Sequence, residues 1–212
     1  MRFQKPLDTI LSSGVKVRIL RFLCRKGGQW NGRRIAAQLG ISPVTAHRAL
    51  RELREDTVLD FQKVGNNFVY SLRDEHYLVR EVLRPLFELE ANSLSRMTDF
   101  LSRCIEGKLK TQVVSVVLYG SVARGQEGPS SDIDLMVLVK SEGAKGEVRR
   151  VLDDLWGAVA SRFGNPAAFY VNTVQEARGK LRHRLSVLES IMQHHRLVWG
   201  RPLKEILHAR TA

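Results

Sequence analysis

The chain has 212 residues, enough for one generous domain or two small ones. With 43% apolar and 26% charged residues it is not a mostly disordered chain, and a net charge of +12 favours a polyanionic partner. The two cysteines, Cys24 and Cys104, form no ligand-spaced pair and read as free thiols. The opening MRFQKPLDTI lacks the apolar core of a signal peptide, and no apolar run approaches the roughly 20 residues of a membrane span, so the expectation is a soluble, cytoplasmic protein with no membrane partner.

The charge is unevenly spread. Residues 1–74 carry 14 basic against 6 acidic side chains, and the rest of the chain 20 against 16. That is the pattern of a basic module attached to a nearly balanced one. In the basic part, DTILSSGVKVRILRFLCRKG places Val15, Ile19, Leu20, Phe22 and Leu23 close to helical spacing and stops at Gly27-Gly28. NGRRIAAQLG is a second short helix. ISPVTAHRALRELRED is a third, with Ser42 as N-cap and Pro43 at the first helical position. Its inward stripe is Ala46, Ala49, Leu50 and Leu53, which leaves Thr45, His47, Arg48, Arg51 and Arg54 facing outward. VLDFQKVGNNFVYSL then reads as a hairpin turning at Gly65-Asn66-Asn67, with Lys63 in reach of phosphate.

The order of these elements, and ISPVTAHRALREL above all, resembles the winged helix-turn-helix family of transcriptional regulators over about Leu7 to Arg73. The resemblance implies double-stranded DNA as partner, with the N-terminal end of the third helix in the major groove. The candidate DNA-binding residues are Thr45, His47, Arg48, Arg51 and Lys63, arginine being able to pair with guanine and Lys63 with the backbone. A module that only mediates protein contacts is the alternative.

Residues 75–107 read as a helical linker. Leu78, Val82, Leu83, Leu86, Phe87 and Leu89 are at helical spacing, Pro85 kinks the helix or begins a second one, and Leu94, Met97, Phe100, Leu101 and Ile105 continue an apolar face. Such a face docks on a neighbouring domain or on a second copy, and a homodimer would suit paired DNA half-sites.

The most informative stretch is LYGSVARGQEGPSSDIDLMVLV, Leu118 to Val139. VVSVVLY, Val113 to Tyr119, is nearly continuously apolar, as a strand covered on both faces should be. After a glycine-rich polar loop, DIDLMVLV is the next strand, and Asp132 and Asp134 point to one face of it. Two adjacent carboxylates resist ionising together, and a hard divalent cation such as Mg²⁺ removes the conflict. Such a cation commonly holds a phosphate as well. Gly120 allows close backbone approach, Ser121 offers a hydroxyl and Arg124 a further positive charge, or a brace for the loop.

Gly-Ser, ten residues, then Asp-x-Asp-Leu between two apolar strands resembles the nucleotidyltransferase superfamily of DNA polymerase β type, and its minimal, stand-alone members most, over about Lys108 to Phe169. The resemblance implies a mixed sheet with helices on one side. It implies nucleotide phosphates held by Gly120 and Ser121, and Mg²⁺ held by Asp132 and Asp134 as the catalytic pair. The reaction implied is transfer of a nucleoside monophosphate, AMP from ATP, to an acceptor that the sequence does not name. Active members carry a third carboxylate on a later strand. Here that strand is in AAFYVNTVQEAR and contains no acid: Asn172 stands at a plausible position and Glu176 falls just beyond. His194-His195, adjacent on a helix, point apart and read as a solvated helix end, and Arg178, Lys180, Arg182 and Arg184 as a solvated basic face.

The expected fold class is α/β (α+β): a winged helix-turn-helix over 1–74, a helical linker over 75–107, and a mixed nucleotidyltransferase sheet with helices over 108–212. Two functions follow from different classes. One is a DNA-binding nucleotidyltransferase; the other is a nucleotide-sensing transcriptional regulator whose C-terminal domain does little or no chemistry.

Overall fold

The structure, a computed structural model, describes residues 3–65 and 67–208. Asn66, the middle of the hairpin turn signal, lies outside the described residues. The chain forms two compact units, Met1–Ser93 and Leu94–Ala212. Among the described residues, no helix is long and apolar enough to cross a membrane.

In the first unit, α1 (Pro6–Ile10) is followed by α2 (Gly14–Lys26), so the single first helix read from the sequence is two. The break is chemical: Ser13 accepts a hydrogen bond from Lys16 N–H and caps α2. A two-residue strand β1 (Trp30–Asn31) leads into α3 (Gly32–Leu39), capped by Asn31, and a tight turn leads into α4 (Pro43–Glu55), capped by Ser42. Strands β2 (Leu59–Val64) and β3 (Asn67–Leu72) form an antiparallel hairpin, and β1 adds to the outer edge of β3. The inward stripe of α4, Ala46, Ala49, Leu50 and Leu53, is buried as its spacing requires. Ile19, Leu20, Leu23, Ile35, Leu59 and Leu72 close the same core.

One charge enters this core. Lys16 is 4% exposed, and its ammonium donates to the Thr9 carbonyl at 2.8 Å and pairs with Glu52 at 3.0 Å. Those oxygens replace the water that a buried ammonium would otherwise lose.

The stretch 75–107 divides between the units. A π-helical turn, Val79–Leu83, runs into α5 (Arg84–Ala91), and Leu78, Val79, Leu83 and Phe87 complete the first core. Pro85 stands in the first turn of α5, where its missing N–H breaks no regular α-helical bond. After a turn at Asn92, α6 (Ser93–Lys108) sends Met97, Leu101 and Ile105 into the second core.

The second unit is built on a mixed four-stranded sheet in the order β6-β5-β4-β7. Strands β4 (Val113–Leu118) and β5 (Ile133–Val139) are antiparallel neighbours, with the short helix α7 (Gly120–Arg124) between them in sequence. The long helix α8 (Glu142–Phe163) carries the chain across to β6 (Ala167–Thr173), parallel to β5. Then come α9 (Val174–Arg182), α10 (Ser186–Gln193), β7 (Arg196–Gly200), antiparallel to β4, and α11 (Leu203–His208).

Two expectations are corrected here. Helices cover both faces of the sheet, not one. Side chains alternate along β5, so Ile133, Leu135, Val137 and Val139 meet α6 and α8, while Met136 and Leu138 meet α9, α10 and α11. With both sets apolar, neither face can be left to water. The C-terminal segment, read as two helices, also holds the strand β7. Its backbone satisfies the free edge of β4, with Trp199 opposite Val116, Leu197 opposite Val117 and Val198 bulged between them.

Candidate functional site

Pairing within the sheet places the first group of candidate residues at one end of it. The end of β4 and the start of β5 lie side by side, with Leu118 paired to Leu135 and Tyr119 N–H donating to the Asp134 carbonyl at 2.9 Å. Gly120 follows at once with φ +74. A Cβ at this position would overlap Oδ2 of Asp134 and stand 2.9 Å from its Cγ. The backbone therefore passes directly against the carboxylate, which only glycine permits. Ser121 sits half-buried in the first turn of α7, a helix with no capping side chain, and Arg124 is exposed in its last turn.

Asp134 is half-buried on β5, and Asp132 is exposed one residue ahead of the strand. Burial, then the nearby charge of Asp132, raise the Asp134 carboxyl above its ordinary value, and Arg124 offsets part of that. Among the described residues, neither carboxylate accepts a side-chain hydrogen bond or forms an ion pair. Two mutually repelling carboxylates beside an open backbone turn fit a hard divalent cation that takes its other oxygens from water and phosphate. Arg124 bonds to the Gln126 side-chain oxygen at 3.2 Å, so it braces its own loop as well as facing Asp134.

Strand register identifies what stands beside Asp134 on β6. Asp134 is level with Ala168, and Tyr170 is the next residue on that face. Asn172 is level with Leu138, four residues further along β5, or roughly 13 Å at strand rise. It is 1% exposed, and Lys180 donates to its side-chain oxygen. Glu176 is further away still. It closes a capping box with Thr173 at the start of α9 and pairs with Lys145 at 2.7 Å. Those bonds hold its carboxyl down at about 2. The sequence position plausible for a third acid is therefore at the wrong level of the sheet, and Glu176 is committed to structure. Among the described residues, no group of three or more His, Cys, Asp or Glu side chains could hold a metal ion.

Tyr119, Tyr170 and Arg196 were not read from the sequence as site neighbours, and some residues read as solvated are engaged in the fold. Tyr119 has its phenol pushed up by burial and by the charge of Asp134 beside it. Lys180 donates to the Tyr170 hydroxyl at 2.9 Å, and Arg178 to the Ile206 carbonyl at 2.8 Å, so two members of the expected solvated basic face are engaged in the fold. Arg196, level with Leu118, donates to the Ala123 carbonyl at 3.2 Å and ties α7 to the sheet edge. Alternation could have flagged the tyrosines; Arg196 could not be found without β7. His195 bonds the Ile191 carbonyl at 2.7 Å beyond the end of α10.

The second group lies on α4 and the hairpin. Thr45, His47, Arg48 and Arg51 are all exposed on α4, and Lys63 is exposed on β2. The Thr45 hydroxyl lies 2.7 Å from the Ser42 hydroxyl, and the His47 ring packs beside Gly32 of α3. Arg48 pairs with Glu52 at 3.2 Å and Arg51 with Glu55 at 3.9 Å, contacts that the sequence reading left out. Exposed pairs of this kind are weak, and phosphate can displace them.

Helices α1 to α4 closed by a β-hairpin, followed by a mixed sheet covered on both faces, define a two-unit α/β protein with a helix-turn-helix in its first unit. The second unit gives the family. A model described as "Nucleotidyltransferase domain" matches residues 101–210, just over half of the chain, and the chain belongs to that family. No curated protein matches it. Among solved structures, the chain is similar to a possible transcriptional regulatory protein of Mycobacterium bovis, at 21% identity over 42% of this chain and 88% of that one, TM-score 0.33. It is similar to the transcriptional repressor BigR of Xylella fastidiosa, at 20% identity over 40% and 82%, TM-score 0.34. A structure described as a toxin-antitoxin with AMP-PNP is similar at 18% identity over 52% and 78%, TM-score 0.35.

Proposed function

We propose that the chain is a DNA-binding protein whose second unit holds a magnesium–nucleoside triphosphate, ATP, and transfers its nucleoside monophosphate to a hydroxyl acceptor. The observation that carries the reading is the contact between Gly120 and the Asp134 carboxylate, with Asp132 beside it. A bound Mg²⁺ would neutralise phosphate charge and favour ionisation of the acceptor. Gly120 gives the phosphates access to the backbone, Ser121 and the uncapped N–H groups of α7 donate to phosphate oxygens, and Asp132 and Asp134 hold the cation. Arg124 adds positive charge at the rim. Thr45, His47, Arg48 and Arg51 face the DNA major groove, and Lys63 a phosphate.

A second reading rests on one observation of its own. Ala168 and Tyr170 fill the positions on β6 beside Asp134, so no carboxylate is there to take the acceptor's proton. That favours a regulator that senses the nucleotide and transfers it slowly or not at all. Incubation of the full chain with ATP labelled at the α-phosphate, Mg²⁺ and a panel of hydroxyl acceptors, DNA and the protein itself included, separates the two. Label moving to an acceptor with release of pyrophosphate is expected of the transferase. Saturable binding with intact ATP recovered would make the protein a sensor.

A further inference from the structure

The groove between α4 and the hairpin carries more than charge. Cross-strand pairing sets Leu59 opposite Leu72, Phe61 opposite Tyr70 and Lys63 opposite Phe68. Alternation puts all six on one face of the hairpin. At the root that face is core. Towards the tip it opens, with Phe61 37% and Phe68 45% exposed. The two rings stack at 4.8 Å between centroids and 19° between planes, and the Arg54 guanidinium lies 4.8 Å from the Phe61 centroid. Across the groove stand Arg48 and Arg51 of α4, with Arg33 of α3, around a cavity of about 850 Å³.

Two exposed, parallel rings among arginines suit one kind of occupant. An apolar protein segment would match the rings but would have to desolvate the guanidinium groups. A paired duplex would match the arginines but keeps the faces of its bases covered by their neighbours. An unpaired nucleotide offers both an open π-face and a phosphate. We propose that this groove binds unpaired nucleotides in or beside a DNA duplex, with a base stacked on the outer face of Phe68, which Phe61 backs from the other side, and phosphates held by Arg33, Arg51 and Lys63. This rests on the DNA-binding reading of α4 and narrows its substrate to DNA that is partly single-stranded.

The test is fluorescence anisotropy on the full chain with three labelled probes: a blunt duplex, the same duplex with a short single-stranded extension, and the free single strand. The extended duplex should bind at least about fivefold more tightly than the blunt one, the gain expected from one stacked base. Phe68→Leu should abolish that preference and leave the blunt-duplex affinity within about twofold, because stacking adds nothing to a closed duplex. Phe68→Trp, which keeps an aromatic ring at the site, should preserve it. Arg51→Ala should weaken every probe and flatten the salt dependence. Equal affinity for blunt and extended duplexes, or a preference that survives Phe68→Leu or is lost in Phe68→Trp, overturns the inference while the Arg51→Ala effect keeps the DNA-binding reading. Salt-sensitive binding to none of the probes overturns both.

Discussion

Gly120→Ala should abolish measurable magnesium-dependent nucleotide binding while the protein still folds. Two effects add at this position. The backbone has φ +74, and a side chain there costs about 1–2 kcal/mol. The larger consequence is local: the new methyl group overlaps Oδ2 of Asp134, so the carboxylate must rotate away from the place where it would meet a cation. Displacing a ligand is at least as damaging as removing its outer support, which costs about 10–100-fold in metal affinity. The dissociation constant for Mg-ATP should therefore rise by about 100-fold or more, with only a modest fall in melting temperature. Calorimetric titration beside a thermal melt reads both. Unchanged nucleotide affinity in a folded Gly120→Ala protein would remove Asp134 from the site.

Gly200→Ala should have the larger effect on stability. Gly200 ends β7 with φ +84, level with Ser115 of β4. A Cβ would overlap the Val114 carbonyl oxygen and lie 3.0 Å from the Ser115 Cα, and these are backbone atoms that no side-chain rotation can move aside. The same carbonyl accepts the Arg201 N–H at 3.1 Å, so withdrawing it breaks a bond that closes the sheet edge. Backbone strain of about 1–2 kcal/mol and overpacking of about 1–3 kcal/mol together predict a loss of about 2–5 kcal/mol. Urea unfolding followed by circular dichroism measures it; a loss below 1 kcal/mol, roughly the strain alone, would mean that the β7 edge moves freely.

Much of this was legible in the chain because local pattern and tertiary role agree. Ser42-Pro43 and the stripe from Ala46 to Leu53 specify α4 completely, since cap, first turn and buried face all lie within thirteen residues. The apolar runs of β4 and β5 likewise announce a strand pair buried on both faces, and Gly120-Ser121 and Asp132-x-Asp134 fall where those strands meet. What stayed hidden depends on register. Asn172 could be judged only once β6 was aligned with β5, which puts it level with Leu138 and not with Asp134. The five residues of β7 are too short to show a period, and they are a strand because β4 has an edge to satisfy. The second helical layer depends on which of two apolar stripes of β5 faces which helices, and a continuously apolar strand does not tell them apart. The pairing of Phe61 and Phe68 was hidden in the same way, seven residues apart in sequence and stacked across the hairpin.

The measurement that bears most directly on the central claim is calorimetric titration of ATP into the full chain with and without Mg²⁺, repeated on Asp132→Asn with Asp134→Asn. Binding that needs Mg²⁺ and disappears in the double variant is the predicted result. Binding of ATP that is indifferent to Mg²⁺, or equally tight in the double variant, would contradict the assignment of Asp132 and Asp134 as the cation's ligands.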